Sequence, residues 1–429
     1  MSDSGVVAMT IELAGIIVSI AGIVLLAASM SGGAEATIRT AKDLTELTEV
    51  PMPVETVAVD RLKTMVSDNA LGDFPSSWVT TPPAPVVVRR DGSDGPTYQE
   101  ALGYGFMVYS MMRPRMVRMD DGRLVLIATA WRHKNFHEEP IILFSDDDGQ
   151  SWSSPQPVPM HGSLLNLGGN KLTIFGESAI FSEDGGKTWD EPRPVLKLPD
   201  GSPTAHHGSA LVEGSHLTVV SYSKAPPHGP MNWNAYSWLW SSHDAGHTWK
   251  TPIRLPAEWC TSEGSVTRAK DGALVVSLRT DPFPGYPNYN DHWRRITTAR
   301  SIDGGLTWTH HQTPFRYGKV HTELLTLPKG DILMVYATRI GELDGHVYHG
   351  IEAVLSHDHG RTWDWTHKFI LFRWALHEST HSPTSVILSD GRVLTVFLHP
   401  WSAPWRNLPV APRCIGVCSA VLWSPQPGE

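Results

Sequence analysis

Cysteine is scarce in this sequence, with three residues among 429, too few for a framework of disulfides. Cys414 and Cys418 lie four residues apart in an apolar run near the C-terminus, and Cys260 stands alone. Because free cysteines are among the most frequently buried residues, we interpret the C-terminal pair as buried thiols on one face of a strand.

Positive charge is also in deficit. The chain has 35 Lys and Arg against 44 Asp and Glu, a net charge of −9 and a pI near 6.1. This average argues against nucleic acid or an anionic membrane as a bulk electrostatic partner. No Gly-rich loop of the phosphate-binding kind is present. The 21 histidines lack compact ligand spacing, so we predict neither a cofactor nor a metal site, with zinc as the less favoured alternative.

One long stretch near the N-terminus has no charge. It runs from Leu13 to Met30, about the length of a helix that crosses a bilayer. Small residues that a signal peptidase could use follow it, although no Lys or Arg precedes it. We therefore predict an apolar signal or anchor helix within residues 1–34 and expect export or membrane attachment through residues 13–30. Residues 35–97, which include a Pro-rich stretch, are predicted to be a linker and lead-in.

Glycine, proline and tryptophan are plentiful, at 37, 33 and 17 residues, which favours turns and strands over helices. One eight-residue box occurs five times: SDDDGQSW from Ser145, SEDGGKTW from Ser182, SHDAGHTW from Ser242, SIDGGLTW from Ser301 and SHDHGRTW from Ser356. In such a box the Asp accepts backbone hydrogen bonds, the Gly permits positive φ and the Trp covers apolar surface. We interpret the boxes as scaffold.

A second repeat consists of two apolar runs around a turn glycine. The six turn glycines are Gly122, Gly169, Gly214, Gly272, Gly330 and Gly391. Their spacing of about 45 to 60 residues is typical of propeller blades. Each hairpin, followed by a box turn and a further strand, gives a four-stranded antiparallel sheet. The sequence therefore predicts an all-β fold, a six-bladed β-propeller over residues 98–429, preceded by the N-terminal apolar helix.

These boxes on six hairpins resemble the Asp-box (BNR) repeat proteins of the sialidase superfamily, over roughly residues 100 to 425. The resemblance implies the propeller fold. It says less about the reaction, because the same fold serves sialidases, other glycosidases, lyases and non-enzymatic binders.

The first strand of each blade should begin near the propeller axis. Residues nine positions before each turn glycine should therefore lie at one end of the central channel: Arg113, Met160, Ala205, Glu263, His321 and Ser382, with His161, His206, His207 and His381 close by. The second strands should return to the same end near Arg132, Lys224, Arg279, Arg339 and His399. The sequence thus predicts a funnel rich in cations and imidazoles, to which Arg115 and His137 are further candidates.

Several guanidiniums around a pocket suit a carboxylate-bearing substrate, because the planar fork binds a carboxylate through two hydrogen bonds. The segment SEGSVTRAKDGALVVSLR is similar to the sialidase segment that supplies a Glu and an Arg, which implies Glu263 and Arg279. Either Arg113 or Arg115 matches the first-blade Arg, and Arg339 is the substitute for the third.

The sequence departs from the sialidase pattern at two catalytic positions. His381 and Ser382 stand where the family has its nucleophilic Tyr-Ser, and ATAWRH lacks the family's Asp. A loop tyrosine could replace the nucleophile, and a loop acid could replace the Asp. The candidates are Tyr236, Tyr286, Tyr289 and Tyr348 for the nucleophile and Glu138 and Asp281 for the acid.

We therefore predict a sialidase-like glycoside hydrolase that acts on glycans with terminal carboxylate-bearing sugars. Glu263 and His381 are its predicted catalytic residues, and Arg113, Arg279 and Arg339 bind the substrate carboxylate. One alternative is a polysaccharide lyase with a His or Tyr base, since imidazole suits proton transfer near neutral pH. Another is a non-catalytic carbohydrate-binding propeller, in which Trp233, Trp238 and Trp240 stack on sugars.

Overall fold

The computed structural model describes residues 79–80, 84–110, 114–132, 137–176, 178–204, 209–224, 235–255, 261–280, 294–312, 318–343, 346–374, 381–401 and 415–425. The predicted N-terminal helix lies outside these residues, as do residues 35–78 of the predicted lead-in. No helix in the described ranges is long and apolar enough to cross a bilayer. Cys418 is a buried free thiol, whereas Cys260 and Cys414 lie outside the described residues.

The described chain is built of 26 strands and one short 3₁₀ helix, Trp365–His367. The first part contains β1 (Val79–Thr80), β2 (Ala84–Arg90), β3 (Thr97–Ser110), β4 (Arg115–Arg118), β5 (Leu124–Arg132), β6 (His137–Ser145), β7 (Gln156–Pro157), β8 (Ser163–Gly168), β9 (Lys171–Phe175), β10 (Ser178–Ser182) and β11 (Arg193–Pro194). The middle part contains β12 (Leu211–Glu213), β13 (His216–Lys224), β14 (Ala235–Ser242), β15 (Ile253–Arg254), β16 (Thr261–Arg268), β17 (Leu274–Thr280), β18 (Arg295–Ser301) and β19 (Thr309–Gln312). The last part contains β20 (Lys319–Thr326), β21 (Ile332–Leu343), β22 (His346–Ser356), β23 (Phe369–Trp374), β24 (His381–Ile387), β25 (Val393–Trp401) and β26 (Ile415–Trp423).

The strands form four separate antiparallel sheets of four, which are units 1 (β4–β7), 2 (β8–β11), 3 (β12–β15) and 4 (β16–β19). A ten-stranded sheet holds two more runs of the same kind: unit 5 (β20–β23) and unit 6 (β24–β26, completed by β3). Strand β2 joins these two runs by pairing with β23 and β3. The fold is thus all-β and propeller-like, and the prediction of six blades depends on dividing the ten-stranded sheet at β2.

The units follow one another around a ring. The first strand of each unit contacts the first strand of the next, and β24 of unit 6 contacts β4 of unit 1. An apolar cluster fills each interface between neighbouring units. In β21, for example, Leu333 and Val335 face unit 6, whereas Ile332 and Met334 face unit 4. Because both faces of a sheet are buried, its strands are continuously apolar rather than alternating.

The five boxes have one geometry, which confirms their interpretation as turns. In the second box, Ser182 Oγ donates to Asp184 Oδ1 (2.8 Å) and accepts from Gly186 N (2.8 Å). Thr188 donates its backbone N–H and its hydroxyl to the Asp184 carboxylate, at 2.9 and 2.6 Å. These bonds lower the pKa of Asp184 to about 2. The same Ser, Asp and Gly contacts recur in the other boxes.

Candidate active site

The first strands of units 4, 5 and 6 are irregular at the positions that the sequence places at the channel. The pairing register shifts between Thr261 and Gly264, between Val320 and Thr322, and between His381 and Thr384. His321 and Ser382 have φ values of 53° and 39°, in the left-handed region. Bulges of this kind re-aim side chains and are frequent beside functional sites.

Four of the predicted residues form one buried group, which we call the Glu263 cluster: Glu263, Arg279, His321 and Arg339. Arg279 Nη1 and His321 Nδ1 each lie 2.7 Å from Glu263 Oε2. On its other side, His321 Nε2 lies 3.2 Å from Arg339 Nη2. The cluster therefore connects the first two strands of unit 4 with the first two of unit 5.

The contacts assign the protons of this cluster. A guanidinium can only donate, so His321 Nε2 accepts from Arg339 and the ring proton resides on Nδ1. Nδ1 then faces Glu263 Oε2 at ion-pair distance, as does the Arg279 cation. The Glu263 carboxyl thus lies between a guanidinium and an imidazole.

A close approach of strands fixes the position of Glu263. The next residue, Gly264, has no room for a side chain, because a Cβ there would lie 2.6 Å from Leu278 Cδ2 and 2.8 Å from Val220 Cγ1. Glycine therefore lets β16 pack tightly between β13 of unit 3 and its neighbour β17, and Glu263 beside it is 7% exposed.

The other predicted residues are only partly described. Arg115 is buried at the start of β4. Arg132, His137 and His381 lie on strands β5, β6 and β24, and their side chains are outside the description. Arg113, His206 and His207 lie outside the described residues altogether. The roles assigned to all of these residues stay predictions.

Tyr348, a candidate nucleophile, lies in a different buried group. Its hydroxyl donates to Glu352 Oε1, and the hydroxyl of Tyr336 donates to Glu352 Oε2 (2.8 Å). Lys319 Nζ lies 3.1 Å from both carboxylate oxygens. Burial and the Glu352 charge raise the pKa of Tyr348 well above its usual range. Tyr348 thus lies on strand β22 in a buried hydrogen-bond network of unit 5 rather than in a loop, and its role as nucleophile stays a prediction.

Sequence reasoning missed one buried acid, Glu323. It lies on β20, two residues after His321, and is 5% exposed. Burial raises the pKa of Glu323 to about 8, against the opposing effects of the Arg115 charge and the Ser385 backbone N–H. Its Oε2 atom has no hydrogen-bond partner among the described residues. A comparison of residues seven positions before each turn glycine would have singled it out.

No metal-binding group of three or more His, Cys, Asp or Glu side chains occurs in the described residues.

Comparison with known proteins agrees with this architecture. The family described as BNR repeat-like domain matches residues 169–366. A protein of unknown function from Dyadobacter fermentans has 19% sequence identity and a TM-score of 0.53, over 74% of this chain and 97% of that one. The Trypanosoma rangeli sialidase, in a complex with 2,3-difluorosialic acid described as a covalent intermediate, has 16% identity and a TM-score of 0.51.

The match with the sialidase covers 80% of this chain and 59% of the sialidase, so this chain spans about three fifths of that protein. No curated protein matches the chain. At these identities the structural likeness shows the fold. Residues 169–366 therefore match the BNR repeat-like family, and the chain shares its fold with these two structures.

Proposed function

We propose that the protein is a glycoside hydrolase that acts on glycans with terminal carboxylate-bearing sugars. The observation that carries the proposal is the buried Glu263 carboxylate, whose Oε2 lies 2.7 Å from both Arg279 Nη1 and His321 Nδ1. The Trypanosoma rangeli sialidase, whose fold this chain shares, binds a difluorosialic acid in its structure.

In this proposal Glu263 takes the proton of the attacking water molecule. Its two donors keep the carboxylate ionised and fix its orientation, which is what a general base requires. His321 cannot itself be the base in this arrangement, because its Nε2 lone pair accepts from Arg339 and its Nδ1 carries the proton. Its role is to orient Glu263, and that of Arg339, which is fully buried, is to fix the tautomer of His321.

Arg279 has a second role in the proposal. A guanidinium suits a carboxylate, because its planar fork binds one through two hydrogen bonds. Arg279, together with Arg113 or Arg115, is proposed to hold the substrate carboxylate. An anionic sugar would then lie with its anomeric carbon near Glu263.

The test uses the full-length protein with two panels of substrates, aryl sialosides and uronate polysaccharides. Released aglycone reports hydrolysis, and ultraviolet absorbance reports the unsaturated sugar of a lyase. We expect aglycone release by the wild type and a loss of about 10²- to 10⁴-fold in Glu263→Gln, with unchanged far-ultraviolet circular dichroism. Unsaturated product would instead assign a lyase and turn attention to His381, and silence of the wild type on both panels would overturn the proposal.

A further inference from the structure

In units 1, 4, 5 and 6, the residues seven positions before the turn glycines form a second layer in the first strands, which we call the inner ring: Arg115, Ser265, Glu323 and Thr384. Each position lies two residues further along its strand than the layer of Glu263 and His321. Two strand residues rise roughly 6–7 Å. The inner ring therefore lies one layer deeper in the propeller.

Three inner-ring side chains make the same bond to the next unit. Ser265 Oγ accepts from Leu324 N (2.8 Å), and Thr384 Oγ1 accepts from Met116 N (3.1 Å). Between these two, the Glu323 carboxyl accepts from the backbone N–H of Ser385. In all three cases the donor is the residue six positions before the turn glycine of the following unit. This bond ties neighbouring first strands together.

A hydroxyl is thus sufficient for the structural bond, yet unit 5 has a carboxyl there. The substitution brings a second oxygen, Oε2, which has no hydrogen-bond partner in the described part of the chain. Burying a carboxyl with one unpaired oxygen costs more than burying a serine or threonine hydroxyl that is fully bonded. The fold does not require this cost, because a hydroxyl makes the same structural bond in units 4 and 6. The unpaired carboxyl oxygen therefore points to a ligand.

The surroundings of Glu323 set its protonation. Leu325, two residues later and on the same face of β20, packs in the apolar cluster between units 5 and 6. From β24 the carboxyl receives the Ser385 N–H, and from β4 it faces the charge of Arg115. His321 on its own strand is turned towards Glu263. With a pKa of about 8, Glu323 holds a proton at neutral pH, and a protonated carboxyl offers one O–H donor.

We propose that Glu323 is the proton donor of the site, a carboxyl between the first strands of units 5, 6 and 1 that donates to the glycosidic oxygen of a glycan bound in the channel. The inference rests on the proposed function, since it supplies the acid that complements the Glu263 base. Neutral and ionised carboxyls in different surroundings are the usual basis of such a division of roles.

The proton balance of the step is complete. As the bond between the anomeric carbon and the leaving oxygen breaks, the Glu323 O–H bond breaks and its proton goes to that oxygen, which departs as an alcohol. Water adds its oxygen to the anomeric carbon and gives a proton to Glu263. Afterwards Glu323 is ionised and Glu263 protonated, and proton exchange with solvent restores both.

The inner ring itself supplies the variant that tests this proposal. Glu323→Thr introduces the residue that unit 6 has at the equivalent position, so the bond to Ser385 N can persist while the carboxyl is lost. Ser265→Ala is the matched control, because it removes an inner-ring bond without touching a carboxyl. Both are compared with the wild type in urea unfolding and in hydrolysis of aryl glycosides whose leaving phenols differ in pKa.

A proton donor matters most for poor leaving groups. We expect Glu323→Thr to lose about 10²-fold or more on phenols of high pKa and much less on strongly acidic phenols. The alkaline limb of its kcat/KM profile, near pH 8 in the wild type, should disappear. Ser265→Ala should unfold at lower urea and keep the wild-type dependence on leaving group. Equal losses of Glu323→Thr on all phenols, or an unchanged alkaline limb, would overturn the proposal.

A readout that needs no substrate separates the two proposals. With ¹³C-carboxyl-labelled glutamate, the wild type should show a carboxyl resonance that titrates near pH 8, and Glu323→Thr should lack it. An active wild type without this resonance would remove the role of Glu323 and leave the proposed hydrolase. A wild type that is inactive on every glycoside would remove both.

Discussion

The two ends of the blades differ in how closely their residues repeat from unit to unit. At the box end, the five turns repeat the same Ser, Asp and Gly contacts. At the channel end, equivalent positions carry different residues, such as Glu263, His321 and Ser382. A position that must only close a turn can be the same in every unit, whereas a position that meets a ligand on the propeller axis cannot. In the proposed hydrolase, departure from the repeat therefore marks the proposed site.

The inner ring sharpens this comparison because it contains both cases. Ser265 and Thr384 each accept a backbone N–H from the next unit. Glu323 also accepts one, whereas its Oε2 atom has no hydrogen-bond partner among the described residues. A repeat protein thus provides its own control residues. Changes at the repeated positions should affect stability, and changes at the departing positions should affect activity.

The largest expected effect on stability belongs to the buried ion pair of Lys319 and Glu352 in unit 5. Burial opposes the shift, but Lys319, Lys368 and two tyrosine hydroxyls lower the pKa of Glu352 to about 2, below its unfolded value near 4.5. Its stabilising contribution is therefore present above pH 4.5 and is lost as pH falls towards 2.

Removing one partner of this pair leaves a buried charge without compensation. Glu352→Gln should therefore lose about 3–5 kcal/mol of unfolding free energy at pH 7, measured by urea denaturation. The double variant Lys319→Met, Glu352→Gln should recover part of this loss. A single variant as stable as the wild type would show that the pair is not desolvated as the structure has it.

The next effect concerns activity and tests the proton assignment of His321. Asparagine places its amide nitrogen near the position of Nδ1, whereas glutamine reaches the position of Nε2. Because Nδ1–H serves Glu263, His321→Asn should retain most of the hydrolysis, and His321→Gln should lose about 10²-fold in kcat/KM. The opposite order of the two variants would mean that the Nε2 side of the ring matters more. Urea unfolding of both variants separates this effect from general destabilisation.

The sequence was sufficient for the parts of the fold that local rules determine. Turn glycines and boxes predicted the hairpins and the four-stranded units, because each depends on positive φ and on short-range hydrogen bonds. The offset of nine residues also brought Glu263 and His321 to the same layer. The contact between His321 and Arg339 could not be read from spacing, because bulges in β20 and β21 change the direction of both side chains. Glu323 was missed because it stands out only when it is compared with Ser265 and Thr384, whose hydrogen bonds to neighbouring units cannot be read from the sequence.

A smaller effect is expected at the box end. Asp358 accepts from Ser356 Oγ, from Thr362 N and from Thr362 Oγ1, at 2.9, 2.8 and 2.6 Å. Asp358→Ala should lose about 1–2 kcal/mol of unfolding free energy, and Asp358→Asn, which keeps one acceptor oxygen, should lose less. Neither should alter the activity per folded molecule. A loss of kcat in Asp358→Asn would contradict the division between scaffold and channel.

The smallest effect would be a gain in stability at a repeated position. The fourth residue of each box lies in the left-handed region, and in the third box it is Ala245, with φ of 57°, where the second and fourth boxes have Gly185 and Gly304. An L-residue with a Cβ pays roughly 1–2 kcal/mol there that glycine does not, although glycine loses more chain entropy on folding. Ala245→Gly should therefore stabilise the protein by about 0.5–1 kcal/mol, seen as a higher urea midpoint with an unchanged slope. A lower midpoint would mean that chain entropy outweighs strain in this turn, and that the repeat tolerates alanine for that reason.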